Sequence, residues 1–199
     1  MSQAYSNPKL KKAIIALHGW TGNKNSLQPI TKAFNIKNAE WFFLEGPYNA
    51  SKGGFSWFDG NEKVGWIWDK SFNVLSDLIA DLIFQGFPKK NIFLLGFSQG
   101  ACFCMEFMIR QNFSIGGIIP IAGFIRYKKY FNLKSTNSSK KTPVLLIHGK
   151  KDDIISPEES KKSLEIFKSN GYNVQLYLLG NGHKISIQAR SIIKNFMSI

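Results

Sequence analysis

The chain has 199 residues, enough for one domain that buries a core and encloses a pocket, and a two-domain reading is disfavoured at this length. Its composition, 44% hydrophobic and 20% charged, is that of a globular protein. No run approaches the roughly 18 apolar residues of a membrane span. The formal charge of +13 comes largely from scattered lysine pairs such as Lys89 with Lys90 and Lys161 with Lys162, without a nucleic-acid-binding motif, so a specific nucleic-acid partner is not expected. A solvated basic surface is the simplest reading, with peripheral attraction to anionic surfaces as the alternative.

The first apolar run, 13–17, is shorter than the roughly 7 to 15 residues of a secretory signal, and a cytoplasmic location is expected. Similar short runs rich in β-branched and aromatic residues follow at 40–44, 91–95, 115–119, 144–147 and 174–178. Each is nearly continuous in apolar character, as strands covered on both faces require. Helix-length amphipathic stretches lie between and after them, at 26–34, 69–85, 99–110, 157–169 and 186–197. The alternation predicts a mostly parallel sheet of about six strands with helices on both faces.

Local chemistry supports these elements. In 69–85, Val74, Leu75, Leu78, Ile79, Leu82 and Ile83 recur at helical spacing, and Gly86 with Pro88 ends the pattern. In 157–169, Ser156 is a cap, Pro157 takes the first helical position, and Glu158 and Glu159 suit the positive end of the dipole. Two connections are longer than turns. Residues 46–65 are Gly-rich yet aromatic, with Trp57 and Phe58 as candidate substrate-binding residues or as packing beneath the loop, and 124–142 ends as a polar stretch expected to be an exposed connector. Cys102 and Cys104 stand two apart in a predicted helix, on different sides of it, and suggest reduced apolar residues with no disulfide or zinc site. No metal or organic cofactor is expected.

The frame Gly96-Phe97-Ser98-Gln99-Gly100 joins a predicted strand to a predicted helix. A Gly-x-Ser-x-Gly frame in that context exposes its serine at the carboxyl edge of the sheet, where ligand sites of open α/β folds lie. Ser98 is a weak nucleophile alone and needs a base, itself oriented by an acid, following in the order serine, acid, histidine. Asp152 and Asp153 lie just past the strand 144–147, and His183 lies in a Gly-rich loop past 174–178. Lys150 and Lys151 are expected to help keep the acid ionised. An oxyanion hole would use the backbone N–H of Gln99 and a second one from the loop after the first strand, Trp20 or, failing that, Thr21. His18 and His148, each in a His-Gly pair, precede the acid and are assigned structural hydrogen bonds.

With these motifs the chain resembles the phospholipase/carboxylesterase family of α/β-hydrolases, which includes carboxylesterases and acyl-protein thioesterases. The resemblance runs through "ALHGWTGN", "EGPYN", "GGFSWFD", "GFPKKNIFLLGFSQGA", "TPVLLIHGKKDDIISP" and "GNGHKIS". It implies a single-domain α/β-hydrolase fold with Ser98 as nucleophile, His183 as base and Asp152 as acid, Asp153 being the minor alternative. The implied reaction is hydrolysis of a small-molecule, acyl-lipid or acyl-protein ester or thioester, as a carboxylesterase, an acyl-protein thioesterase or a lysophospholipase. A non-catalytic binding module for anionic partners is the remote alternative. The chain departs from the family pattern at Ala101, where a second glycine is usual, at Trp20, where a smaller residue is usual, and by one extra residue before Pro157. Trp20 is expected to narrow or cover the acyl site, and the short chain implies reduced pocket walls.

Overall fold

The computed structural model describes residues 11–61, 63–128 and 131–198. In chain order the elements are β1 (Lys12–Leu17), α1 (Pro29–Phe34), β2 (Ala39–Leu44), two small hairpins β3 (Tyr48–Asn49) with β4 (Phe55–Ser56) and β5 (Asp59–Asn61) with β6 (Gly65–Ile67), then α2 (Asp69–Phe84) and β7 (Ile92–Phe97). They continue through α3 (Gln99–Ile109), β8 (Gly117–Ile121), α4 (Phe131–Lys134), β9 (Val144–Gly149), α5 (Pro157–Ser169), β10 (Val174–Leu179) and α6 (Ala189–Met197). The six long strands form one parallel sheet in the order β2-β1-β7-β8-β9-β10. Chain order reverses between β1 and β7, so the loops leaving those two strands diverge and open a crevice at the carboxyl edge.

Alternation along each strand divides the core in two. From β1, Ala13, Ile15 and Leu17 face a layer built by α2, α3 and α5, with Leu75, Ile79, Phe103, Phe107 and Phe167 buried there. Ile14 and Ala16 face the opposite layer, where α1 and α6 contribute Phe34, Ile193 and Phe196. Helices therefore cover both faces, as the unbroken apolar runs require. At α5 the Ser156 side chain accepts from the Glu158 N–H, with Pro157 next and Glu158 and Glu159 in the first turn. Among the described residues no helix is long and apolar enough to cross a membrane.

Two expectations need correction. The fourth strand of the sheet lies at Gly117–Ile121, two residues later than predicted, and runs through Pro120. The rungs on either side of it, Ile118 N–H to Pro143 O and Ala122 N–H to Ile147 O, are both formed. Proline removes only the donor between them, so the strand passes a residue that reads as a stop. The polar stretch ending 124–142 is not a free connector. Phe131 is buried against Phe167 and Tyr172, and the hydroxyls of Ser135 and Ser139 lie 2.8 and 2.7 Å from the Tyr172 hydroxyl. Hydroxyl-rich composition here serves buried hydrogen bonding rather than solvation.

Candidate active site

β7 ends in a turn so tight that Ser98 adopts φ 53° and ψ −115°, outside the regions L-residues prefer. Such a conformation costs about 1–3 kcal/mol and needs surrounding bonds to hold it. Ser98 N–H donates to Ile121 O at 2.9 Å, and Ser98 O accepts from Ala101 and Cys102 N–H at 3.0 and 3.1 Å, fixing the residue from both sides. The flanking glycines are steric requirements. A Cβ on Gly96 would collide with the Gly100 and Ala101 backbone, and one on Gly100 with the carbonyls of Leu17 and His18. The start of α3 is thereby seated directly on the end of β1.

Three strand ends converge on Ser98. His183, from the loop after β10, places Nε2 3.0 Å from Ser98 Oγ and Nδ1 2.7 Å from Asp152 Oδ2. A carboxylate only accepts, so Nδ1 carries the proton and Nε2 is free to accept from the serine hydroxyl. Asp152 is buried, and its other oxygen accepts from the N–H groups of Ile154 (3.0 Å) and Ile155 (2.9 Å). Burial pushes this carboxyl up. The Ile155 N–H, the His183 ring and the Ile154 N–H together outweigh it and hold the group below the usual carboxylate range. Lys150 and Lys151 are exposed and are not among these causes, so the expected lysine contribution gives way to backbone donors and the imidazole. Asp153 is exposed, and it is Asp152 that meets His183.

His148, fully buried, supports the acid. Its Nε2 lies 2.9 Å from Ile155 O and 3.2 Å from Asp152 Oδ2, and its Nδ1 lies 2.6 Å from Ser160 Oγ at the first turns of α5. The histidine loop is held against the acid loop as well: Lys150 N–H donates to Leu179 O and Lys151 N–H to Asn181 O.

His18, also buried, organises the other side of the crevice. Its Nε2 accepts from Gly46 N–H at 2.9 Å, so Nδ1 carries the proton and donates to Gly19 O at 2.7 Å. Burial favours this neutral form and lowers the pKa, against the hydrogen bond at Gly19 and the field of Glu45. Gly19 O also accepts from Gly22 N–H at 3.0 Å. In a trans peptide C=O and N–H point opposite ways, so two donors on Gly19 O fix the direction of the Trp20 N–H. Thr21 N–H is taken by Phe55 O at 3.0 Å, which removes the fallback donor. Gln99 N–H opens α3, where the helix itself offers no acceptor.

A cavity of about 380 Å³ lies beside Ser98 and Gln99, walled by Trp20, Phe58, Trp66, Phe124 and Arg126 among others. Phe58 thus takes the position expected of a pocket residue, but Trp57 does not line the cavity. It is fully buried beneath it, stacked on Phe103 with centroids 5.1 Å apart and donating from Nε1 to His18 O at 2.8 Å. The Gln99 side chain ties this loop to the elbow, accepting from Trp57 N–H at 2.9 Å and donating to Ser56 Oγ at 2.9 Å. Cys102 also borders the cavity, but burial pushes its thiol up to about 11, so it stays protonated and inert; Cys104 is pushed up further.

A family model described as phospholipase/carboxylesterase matches residues 4–199. The chain belongs to the phospholipase/carboxylesterase family. Carboxylesterase SOBER1 of Arabidopsis thaliana is 28% identical over 92% of this chain and 88% of its own length. Acyl-protein thioesterase 1 homolog 1 of Dictyostelium discoideum is 30% identical over 73% of this chain and 69% of its own. The crystal structure of SOBER1 superposes with a TM-score of 0.83 at 26% identity, covering 94% of this chain and 98% of that one. The fold is that of the α/β-hydrolases, and the family makes the chain a hydrolase of the ester-cleaving class.

Against the family pattern, the methyl of Ala101 is accommodated because Gly123 opposite it has no side chain. Trp20 does not lie over the cavity as a cover alone. It is 44% exposed and stands between the Ser98 cavity and a second groove, of about 490 Å³, lined by His183 and Phe97. Three contributors escaped the reading of family motifs: Ser56, His148 as a partner of the acid, and Arg126. Ser56 lies inside "GGFSWFD", where its hydroxyl could have been suspected, while Arg126 has no local signal, since only the fold brings it to the cavity.

Proposed function

We propose that this α/β-hydrolase cleaves carboxylic esters through a covalent acyl-enzyme on Ser98. The carrying observation is the unbroken chain of contacts from Ser98 Oγ to His183 Nε2 (3.0 Å) and from His183 Nδ1 to Asp152 Oδ2 (2.7 Å). Ser98 Oγ attacks the acyl carbon while its proton passes to His183 Nε2, and Asp152 stabilises the imidazolium without taking a proton. The carbonyl oxygen becomes an oxyanion facing the N–H groups of Trp20 and Gln99, a stabilisation in which each donor contributes about 2.7–4 kcal/mol in comparable sites. As the alcohol leaves it receives the proton from His183. Water then enters, gives a proton to His183, attacks the acyl carbon and releases the acid, returning the proton to Ser98. His148 acts as a positioning residue by fixing Asp152.

Thioester cleavage is the second reading, favoured by the acyl-protein thioesterases among the relatives. Ester and thioester series from C2 to C16 separate the two by kcat/KM. For the reaction itself, p-nitrophenyl acetate and butyrate are the test. Ser98→Ala should abolish turnover and labelling by a fluorophosphonate, and equal rates in wild type and Ser98→Ala would overturn the reading.

A further inference from the structure

We propose that the cavity beside Ser98 selects esters that carry a carboxylate, held by Arg126. This rests on the hydrolase reading above and adds a substrate class to it. Arg126 sits in the loop after β8 and lines the cavity together with Ser98 and Gln99. Its guanidinium carbon lies 4.5 Å from the Trp66 ring centroid, 5.2 Å from that of Phe58 and 5.7 Å from that of Phe124. Attraction between the cation and these rings holds it at the cavity wall and gives its N–H donors no oxygen acceptor.

Among the described residues Arg126 makes no ion pair or hydrogen bond: its Nε is shielded from solvent without an acceptor, and its two Nη groups are open to solvent. The acids nearby in the fold are otherwise engaged. Glu106 is buried, with Oε2 2.7 Å from Arg110 and Oε1 accepting from Tyr127 N–H at 3.2 Å. Asp59, also on the cavity, is exposed and accepts from its neighbour Gly60 N–H at 2.7 Å. Arg126 further lines an adjoining cavity of about 380 Å³ with Tyr127, whose hydroxyl is likewise buried and unpartnered. The Nη donors, open to solvent and without a protein acceptor, are the ones a ligand can reach. A carboxylate meets the guanidinium fork in its own plane with two parallel hydrogen bonds, while the aromatic walls exclude water from the pair. The chemistry called for is an ester whose acyl chain or alcohol ends in a carboxylate, with apolar carbons between it and the scissile carbonyl.

Matched ester pairs test this and identify which side carries the charge. For the acyl side the pair is the mono-p-nitrophenyl ester of glutaric acid against p-nitrophenyl hexanoate. For the alcohol side it is 4-butanoyloxybenzoate against p-tolyl butanoate. The readout is the charged-to-neutral ratio of kcat/KM within each protein, which cancels any general loss of activity in a variant. Arg126→Met should lower the ratio at least about tenfold in one arm, as loss of a charged hydrogen bond predicts, and Arg126→Lys should lower it less. Ratios that Arg126→Met leaves unchanged in both arms would overturn the proposal while leaving ester hydrolysis intact. Failure of wild type to cleave any of the four esters or to be labelled at Ser98 would instead overturn the hydrolase reading and this proposal with it.

Discussion

Replacing Asp152 with asparagine should cost far more activity than the loss of one charge suggests, because the surrounding donors dictate how the amide must sit. Asp152 Oδ1 accepts from two backbone N–H groups, those of Ile154 and Ile155, at 3.0 and 2.9 Å. In the variant that position can hold only the amide oxygen, since an NH₂ there would face two donors. The NH₂ must then point to His183 Nδ1, where the carboxylate oxygen now lies at 2.7 Å. Nδ1 is forced to accept, the ring proton moves to Nε2, and Nε2 loses the lone pair that takes the proton of Ser98. A wrong tautomer of this kind lowers kcat by about 10⁴, equivalent to about 5.5 kcal/mol of transition-state stabilisation. Steady-state hydrolysis of p-nitrophenyl butyrate by Asp152→Asn and by Asp153→Asn is the assay, with circular dichroism to confirm folding. A loss below tenfold in Asp152→Asn, or an equal loss in the exposed Asp153→Asn, would refute the assignment of the acid and the tautomer reasoning together.

Two further outcomes follow from the packing and from the ionisation of the acid. Trp57→Ala should lower unfolding free energy by about 3–5 kcal/mol in urea titration without changing the relative rates on C2 to C8 esters. Phe58→Ala, at the cavity wall, should shift those relative rates towards longer chains, and the reverse pattern would return Trp57 to the pocket. Because the folded Asp152 carboxyl lies below its unfolded value of about 3.9, it adds stability that is present above that value and lost as pH falls through the folded one. The urea midpoint of wild type should therefore drop more than that of Asp152→Asn between pH 6 and pH 3, and parallel curves would contradict the shift.

Much of this was legible in the linear sequence because it depends on period and order. Unbroken apolar runs state that both faces of a strand are covered, and Gly96 and Gly100 state that two backbones touch on either side of Ser98. The order of Ser98, Asp152 and His183 carries the connectivity of the sheet. What was not legible depends on contacts between segments far apart in the chain. Trp57 and Phe58 are neighbours of similar chemistry, and only the crossing of α3 beneath their loop decides that one stacks on Phe103 while the other faces the cavity. The hydroxyls of 135–142 read as solvated until Tyr172, from the turn between α5 and the edge strand β10, reaches those of Ser135 and Ser139. The strand expected at 115–119 lies two residues later and runs through Pro120, because the rungs that carry it past the missing donor belong to a neighbouring strand.

The same distinction bears on how the site is built. Each reactive group sits at a strand end, but its orientation is fixed by a second group from elsewhere: His183 by Asp152, Asp152 by His148 and the Ile154 and Ile155 amides, and the Trp20 peptide by His18 through Gly19 O. These supports use neutral or backbone donors almost throughout, so the strained serine turn is held without surface charges that salt would screen. Arg126 is the exception, a cation fixed by aromatic faces with its donors unspent. Beside the Gln99 and Trp20 N–H groups assigned to the oxyanion, the Arg126 donors are also unengaged at the Ser98 cavity, and selection among substrates is proposed to act there. On the proposed roles substrate choice would be separate from catalysis, since Arg126 makes none of the hydrogen bonds that orient Ser98 or His183.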